Sequence, residues 1–236
     1  MKLFFGVMLI VWLGASALAA PPAVPTYLVA RAAKPITIDG KIDDAGWAPA
    51  KAVELVLNRD GSASPAKTTA RLLYDDKFLY ISFRAVDDNI FATMKHRDDH
   101  LWEEEVVEVF LQPDPLKKNY IELEVNPLDA LVDIYLLDIR KPLHLESWNS
   151  EKIRWAIQVD GTVDGRPGDR EWTCEIAFPF EDAVTAAHTP PRPGDRWRMN
   201  LYRVEQKPSY ALIAWAPTRK DDFHIPSMFG ELVFGR

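Results

Sequence analysis

Apolar and polar residues alternate with a period of two along much of this chain, and that pattern predicts β-strands. Asn119 to Val125 is the clearest case: Ile121, Leu123 and Val125 share one face, Glu122 and Glu124 the other. Thr69 to Tyr74 and Phe78 to Val86 are apolar-rich runs joined by Asp75-Asp76-Lys77, which reads as a β-hairpin. In Val106 to Leu111, Val107, Val109 and Leu111 form one face, with Val106, Glu108 and Phe110 on the other. Further strands are expected at Leu131–Leu137, Ile153–Val159, Glu171–Phe178, Arg196–Tyr202, Tyr210–Trp215 and Leu232–Phe234. Glycine and proline clusters separate them, notably Asp164-Gly165-Arg166-Pro167-Gly168 and Thr189-Pro190-Pro191-Arg192-Pro193-Gly194. Short helical turns are expected at Asp43–Ala50, capped by Asp43 or Asp44, and at Pro179–Ala183. The fold class is therefore all-β: an antiparallel β-sandwich, jelly-roll or immunoglobulin-like, of about ten strands with one or two helical turns.

The first residues follow a different rule. Lys2 is a short positive region, Leu3 to Leu13 an apolar core, and Ala17-Leu18-Ala19 a small-residue cleavage site. Residues 1–19 are read as a signal peptide, leaving residues 20–236 as one domain. The apolar run is shorter than the ~20 residues a membrane span needs. The expected location is outside the cell or in the periplasm, with no membrane insertion after cleavage.

Composition narrows the partners. The formal charge is -7, which argues against nucleic acid and anionic membrane surfaces and suits a neutral polar ligand. Cys174 is the only cysteine, so it has no intrachain disulfide partner. It lies in a strand-like run and reads as a buried small apolar residue. Eight tryptophans are a high load. Trp47, Trp155, Trp172 and Trp197 sit inside strand or helix patterns and are expected in the core. Trp102 lies between a polar loop, His96-Arg97-Asp98-Asp99-His100, and Glu103-Glu104-Glu105. Trp215 ends a strand and opens the Pro217–Asp222 loop. Such loop edges carry binding residues.

The ordered set of motifs is more specific than any one of them. It comprises Ile38-Asp39-Gly40 with Trp47, Leu73-Tyr74-Asp75-Asp76 leading into Phe78-Leu79-Tyr80-Ile81, and Trp102 with Glu105-Val106-Val107-Glu108-Val109-Phe110. It ends with Trp215-Ala216-Pro217, His224-Ile225-Pro226 and Phe229-Gly230. This set resembles the family 9 carbohydrate-binding modules and their DOMON-like single-domain relatives. The resemblance implies non-catalytic binding of a mono- or oligosaccharide. It places Trp102 and Trp215 as two walls clamping a sugar ring, and Glu108 as a hydrogen-bond partner of its hydroxyls. Arg203 and Asn126 match weaker contact positions, and His224 a structural one. The chemistry is coherent, since aromatic rings stack on the C–H face of a sugar while carboxylates, amides and guanidinium groups take its hydroxyls. A fully extended chain would put Trp102 roughly 20 Å from Glu108, so the acidic segment must loop back for both to meet one ligand.

The residues also leave other readings open. Glu108 could instead be a buried ion-pair partner of Arg84 or Arg203. Asn126 could form a turn rather than meet ligand. The many glutamates would permit a glycosidase pair by number, but an acidic run is more often a solvated face. There is no HExxH motif and no Gly-rich phosphate loop. No cofactor is firmly implied. Structural Ca²⁺ is implied by the resemblance, with Asp75-Asp76, Asp87-Asp88 and Asp98-Asp99 as oxygen donors. The alternative functions are a haem-binding electron-transfer sandwich of the DOMON type, using Met94, Met199, Met228 or histidines as axial ligands, and an interaction module that has lost its ligand.

Overall fold

The strand pattern is realised almost throughout. The structure, a computed structural model, describes residues 23–138, 143–145 and 147–236. The expected signal peptide lies outside the described residues. Thirteen strands occur among them: β1 (Thr26–Arg31), β2 (Val53–Leu57), β3 (Ala63–Tyr74), β4 (Phe78–Val86), β5 (Val106–Gln112), β6 (Tyr120–Val125), β7 (Leu131–Asp138), β8 (Leu143–Leu145), β9 (Arg154–Asp160), β10 (Glu171–Pro179), β11 (Arg196–Glu205), β12 (Ala211–Ala214) and β13 (Gly230–Phe234). Among the described residues, helix is confined to 3-10 turns at Ala45–Trp47, Leu101–Glu103, Phe180–Asp182 and Pro226–Met228. The first and third match the two turns expected from sequence.

Strand pairing follows the path β8-β7-β6-β5-β11-β12-β2-β3-β4-β10-β9. β1 pairs with β3 and β13, and β13 with β11, so β11, β12, β2, β3, β1 and β13 close into a six-stranded ring. The result is sandwich-like: β5 to β8 with β11 on one side, β3, β4, β9 and β10 on the other. The predicted hairpin is β3–β4, antiparallel from Thr68↔Ala85 to Tyr74↔Leu79. Three strands, β1, β2 and β8, escaped the sequence reading. β1 and β13 run parallel, Tyr27 opposite Leu232, although about two hundred residues separate them. β2 has a register shift between Leu55 and Val56, which blurs its alternation. β8 has only three residues.

The main core lies between the layers. It unites Leu72, Ile81 and Phe83 with Val107, Val109, Leu123, Trp172, Ile176, Trp197 and Leu201. Cys174 is buried in it as expected. The Ile38-Asp39-Gly40…Trp47 motif has a specific task at its edge. Gly40 adopts φ +83°, a left-handed conformation that glycine tolerates. This brings the Asp39 and Gly40 N–H groups to Glu175 Oε2 at 3.2 and 3.0 Å, while Trp47 Nε1 donates to Oε1 at 2.8 Å. A carboxylate on β10 is thereby satisfied by the loop that precedes β2.

Candidate functional site

Besides the main core, a second apolar layer covers the outward face of β5, β6, β7, β11 and β12. Val106, Phe110, Tyr120, Val132, Leu136, Tyr202, Val204 and Ala214 form it. Two chain segments cover that face: one brings Met94 and Leu101, the other Phe223 and Phe229. Phe223 stacks on Tyr202 with centroids 3.9 Å apart. His224 shares a 2.6 Å hydrogen bond between Nδ1 and the Tyr120 hydroxyl. It is thus a satisfied structural histidine.

Glu108, Glu122 and Glu124 sit on this same face. Glu108 is directly opposite Glu124 in the β5–β6 ladder and Tyr202 in the β5–β11 ladder. The three are 2, 5 and 0 % exposed. Burial first, then Glu122, holds the Glu108 carboxyl well above the ordinary range. Burial first, then Glu108 and Glu122, does the same at Glu124. The alternation placed Glu122 and Glu124 on a polar face. Their burial arises because the covering segments turn that face into an interior.

Trp102 stands at the edge of the layer. It is 39 % exposed, on the 3-10 turn Leu101–Glu103. His100 stacks against its ring at 4.5 Å with planes 22° apart. Gln206 Nε2 donates to the Glu103 carbonyl at 2.9 Å, tying this turn to the β11–β12 connection. That connection presents Tyr210, 62 % exposed. Partial burial, then the Glu108 and Asp221 carboxylates, raises the Tyr210 phenol. Trp102 in turn has its backbone beside Glu124. An exposed tryptophan and an exposed tyrosine therefore stand on two segments that Gln206 ties together. In sequence Tyr210 follows Lys207-Pro208-Ser209 and marks only the start of the Tyr210–Trp215 strand.

The other expected contacts lie elsewhere. Trp215 is 7 % exposed, packed edge-on to Tyr27 at 6.4 Å in the main core. Its ring offers no open face to a sugar. Arg203 is wholly buried on the face opposite Glu108. Its Nη2 donates to Asp87 at 2.7 Å and also to Glu205, and Nη1 to Thr68 Oγ1 and the Val86 carbonyl. It forks onto neither Glu108 nor solvent. Asn126 is also buried: Nδ2 donates to the Met94 carbonyl at 2.9 Å, and Oδ1 accepts from Leu128 and Ala130 N–H. That is the turn-forming role. Of the five positions, Trp102 and Glu108 remain together.

Glu104 and Glu105 do not behave as a solvated run. Glu104 Oε2 accepts from the Thr93 N–H at 2.7 Å, and Glu105 Oε2 from Phe91 N–H at 2.8 Å. Glu105 is buried near Asp87 and Glu205; burial first, then those two carboxylates, push it up to about 9. The aspartate pairs considered for Ca²⁺ are engaged by protein donors. Asp75 accepts from Lys77 and Phe78 N–H and the Tyr80 hydroxyl, Asp87 from Arg203, and Asp99 from Lys95 and His96 N–H.

The architecture is thus an all-β sandwich with an exposed aromatic at one edge. Residues 40–234 match the profile of carbohydrate-binding family 9, and the chain belongs to that family. An extracellular protein of Arthroderma benhamiae is 31 % identical over 199 residues, covering 76 % of this chain and 85 % of that one. The exoglucanase XynX of Acetivibrio thermocellus is 35 % identical over 88 residues, 36 % of this chain and 7 % of that enzyme. Among solved structures, a candidate carbohydrate-binding protein of Bacteroides uniformis superposes with TM-score 0.75 at 16 % identity, covering 90 % of this chain and all of that one. A family 9 module of Caldicellulosiruptor kristjanssonii in complex with cellotriose gives 0.62 at 15 % identity, covering 89 and 94 %. At these identities the likeness shows the fold.

Proposed function

We propose that the chain is an exported, non-catalytic module that binds a mono- or oligosaccharide at the Trp102 edge of the outer face. The carrying observation is the exposed Trp102 ring, braced by His100 and tied through Gln206 to the loop that presents Tyr210. Tyr210 takes the place expected of Trp215 as the second aromatic wall. Hydroxyl contacts are assigned to the carboxylate of Glu108, on β5 between β6 and β11. Rigid aromatics stack on sugar C–H faces at low entropic cost, and polar groups set orientation. The bound cellotriose of one family 9 structure makes cello-oligosaccharides the first probe.

Isothermal titration with glucose and cellotriose, followed by a glycan array, tests this reading. Trp102→Ala and Tyr210→Ala should each weaken binding by about 5- to 30-fold, about 1–2 kcal/mol, with little change in melting temperature. Unchanged affinity in both variants, or no sugar bound by the wild type across the array, would overturn it.

A further inference from the structure

The sugar reading uses the outer face of one layer. The other layer carries a groove on its own outer face that this reading leaves unused. Period-two alternation sends Ala70, Leu72, Phe83, Trp172 and Cys174 into the core. Thr69, Arg71, Ser82, Arg84, Glu171 and Thr173 therefore face outward from β3, β4 and β10. With Lys41 and Asp43 of the loop before β2 they line a groove of about 410 Å³, within the size range of small-molecule sites.

Two groups in this groove lack partners. Arg71 is half-buried and forms neither an ion pair nor a hydrogen bond with another described residue. Its charge reaches the Tyr27 phenol, which burial keeps neutral. Arg198 and Arg203, the other described arginines withdrawn from solvent, both donate to protein acceptors. Ser82 stands directly opposite Arg71 in the β3–β4 ladder. It is 1 % exposed, and its Oγ has no hydrogen-bond partner. Charged and polar groups withdrawn from water ordinarily have partners. A guanidinium and a hydroxyl left open side by side mark a place for an acceptor from outside the chain.

The surrounding charges decide what kind of acceptor. Glu171 is paired with Arg84 at 2.7 Å. Glu175, beyond Ser82 in the same row, is filled by the Asp39 and Gly40 N–H groups and Trp47 Nε1. Glu54, opposite Thr69 on β2, makes no ion pair with Arg71. Asp43 is exposed at the rim, and Lys41 Nζ lies 3.5 Å from Asp39. The Arg71 charge is thus uncompensated, a local exception on a chain of formal charge -7. A planar guanidinium fork matches a carboxylate, sulfate or phosphate, and a serine hydroxyl adds one more donor.

We propose that this groove binds an oxyanion, held by the Arg71 fork and the Ser82 hydroxyl, with Lys41 and Arg84 adding positive charge around it. If the ligand is a glycan, which rests on the sugar reading above, the oxyanion is a uronate carboxylate or a sulfate ester.

The whole chain is titrated calorimetrically with sodium sulfate, sodium phosphate and sodium glucuronate, at constant ionic strength set with sodium chloride. The sulfate and phosphate arms contain no sugar, so their outcome is separate from that of the sugar reading. We expect saturable binding of at least one of these anions with a Kd of about 1 mM. Arg71→Gln should weaken it about tenfold or more, and Ser82→Ala about threefold to tenfold. Arg196→Gln, exposed on β11 and outside the groove, should leave it unchanged. Arg71→Lys keeps the charge but loses the fork; it should also bind more weakly and is the second variant if Arg71→Gln does not fold. Glucuronate bound more tightly than sulfate assigns a sugar-borne carboxylate and the reverse a free anion; both support the site. Heats that never saturate, or equal affinity in wild type and Arg71→Gln, would overturn it.

Discussion

Trp102 and Trp215 show how one residue type takes two roles according to what surrounds it. Both follow loop-edge signals in sequence, but Trp215 packs against Tyr27 and over Gly230. A Cβ at Gly230 would lie 2.6 Å from Trp215 Cη2 and 2.9 Å from the Pro25 carbonyl oxygen. Gly230→Ala should therefore lose about 2 kcal/mol or more, and Trp215→Ala about 3–5 kcal/mol, by urea denaturation. Near-wild-type stability of Trp215→Ala would contradict its core placement. Glu105 makes a second residue-scale forecast. Its folded pKa of about 9 lies above the unfolded value, so the native state keeps a proton that the unfolded chain releases. Stability from this group is full at low pH and falls as pH rises, from the ordinary carboxylate range up to about 9. The slope is at most about 1.4 kcal/mol per pH unit. Chemical denaturation in EDTA at pH 5 to 9 should show that decline, and Glu105→Gln should flatten it. A profile equally steep in the variant would place the titration elsewhere.

At the scale of elements, the period-two reading located most strands but not their surroundings. The alternation in β6 correctly divided Ile121 and Leu123 from Glu122 and Glu124. It could not report that the polar face would be covered. That follows from two distant segments, around Met94–Leu101 and Phe223–Phe229, packing on β5, β6 and β11. The same limit explains Arg203. Its strand position was legible, but its partners Asp87 and Thr68 lie more than a hundred residues away. Asn126 was legible as a turn residue, because its amide oxygen accepts from Leu128 and Ala130, within a few residues of itself. Local hydrogen bonding leaves a mark in sequence; a shared interior does not.

For the whole molecule, closure of the six-stranded ring is the decisive non-local event. β1 bridges β3 and β13, and Tyr27 on β1 donates to the Lys51 carbonyl at 2.6 Å and accepts from the Leu72 N–H at 3.0 Å. A chain beginning at Lys34 lacks β1. It should expose Trp215 and two strand edges, bind a hydrophobic dye, and lose its sharp thermal transition. A truncated chain with the melting profile of the full chain would show that β1 is dispensable. No helix among the described residues is long and apolar enough to cross a membrane.

The sequence by itself determined the all-β class, the hairpin at Asp75-Asp76-Lys77, the buried role of Trp47, Trp172, Trp197 and Cys174, and the family. These follow from periodicity, turn chemistry and short motifs, each written within a few residues. Tertiary structure alone decided which aromatics meet solvent and which carboxylates meet one another. It buried Trp215, tied the loop that bears Tyr210 to the turn that bears Trp102 through Gln206, and gathered Glu108, Glu122 and Glu124 under the covering segments. Burial and electrostatic neighbourhood are sums over residues far apart in the chain, and no local pattern encodes such a sum.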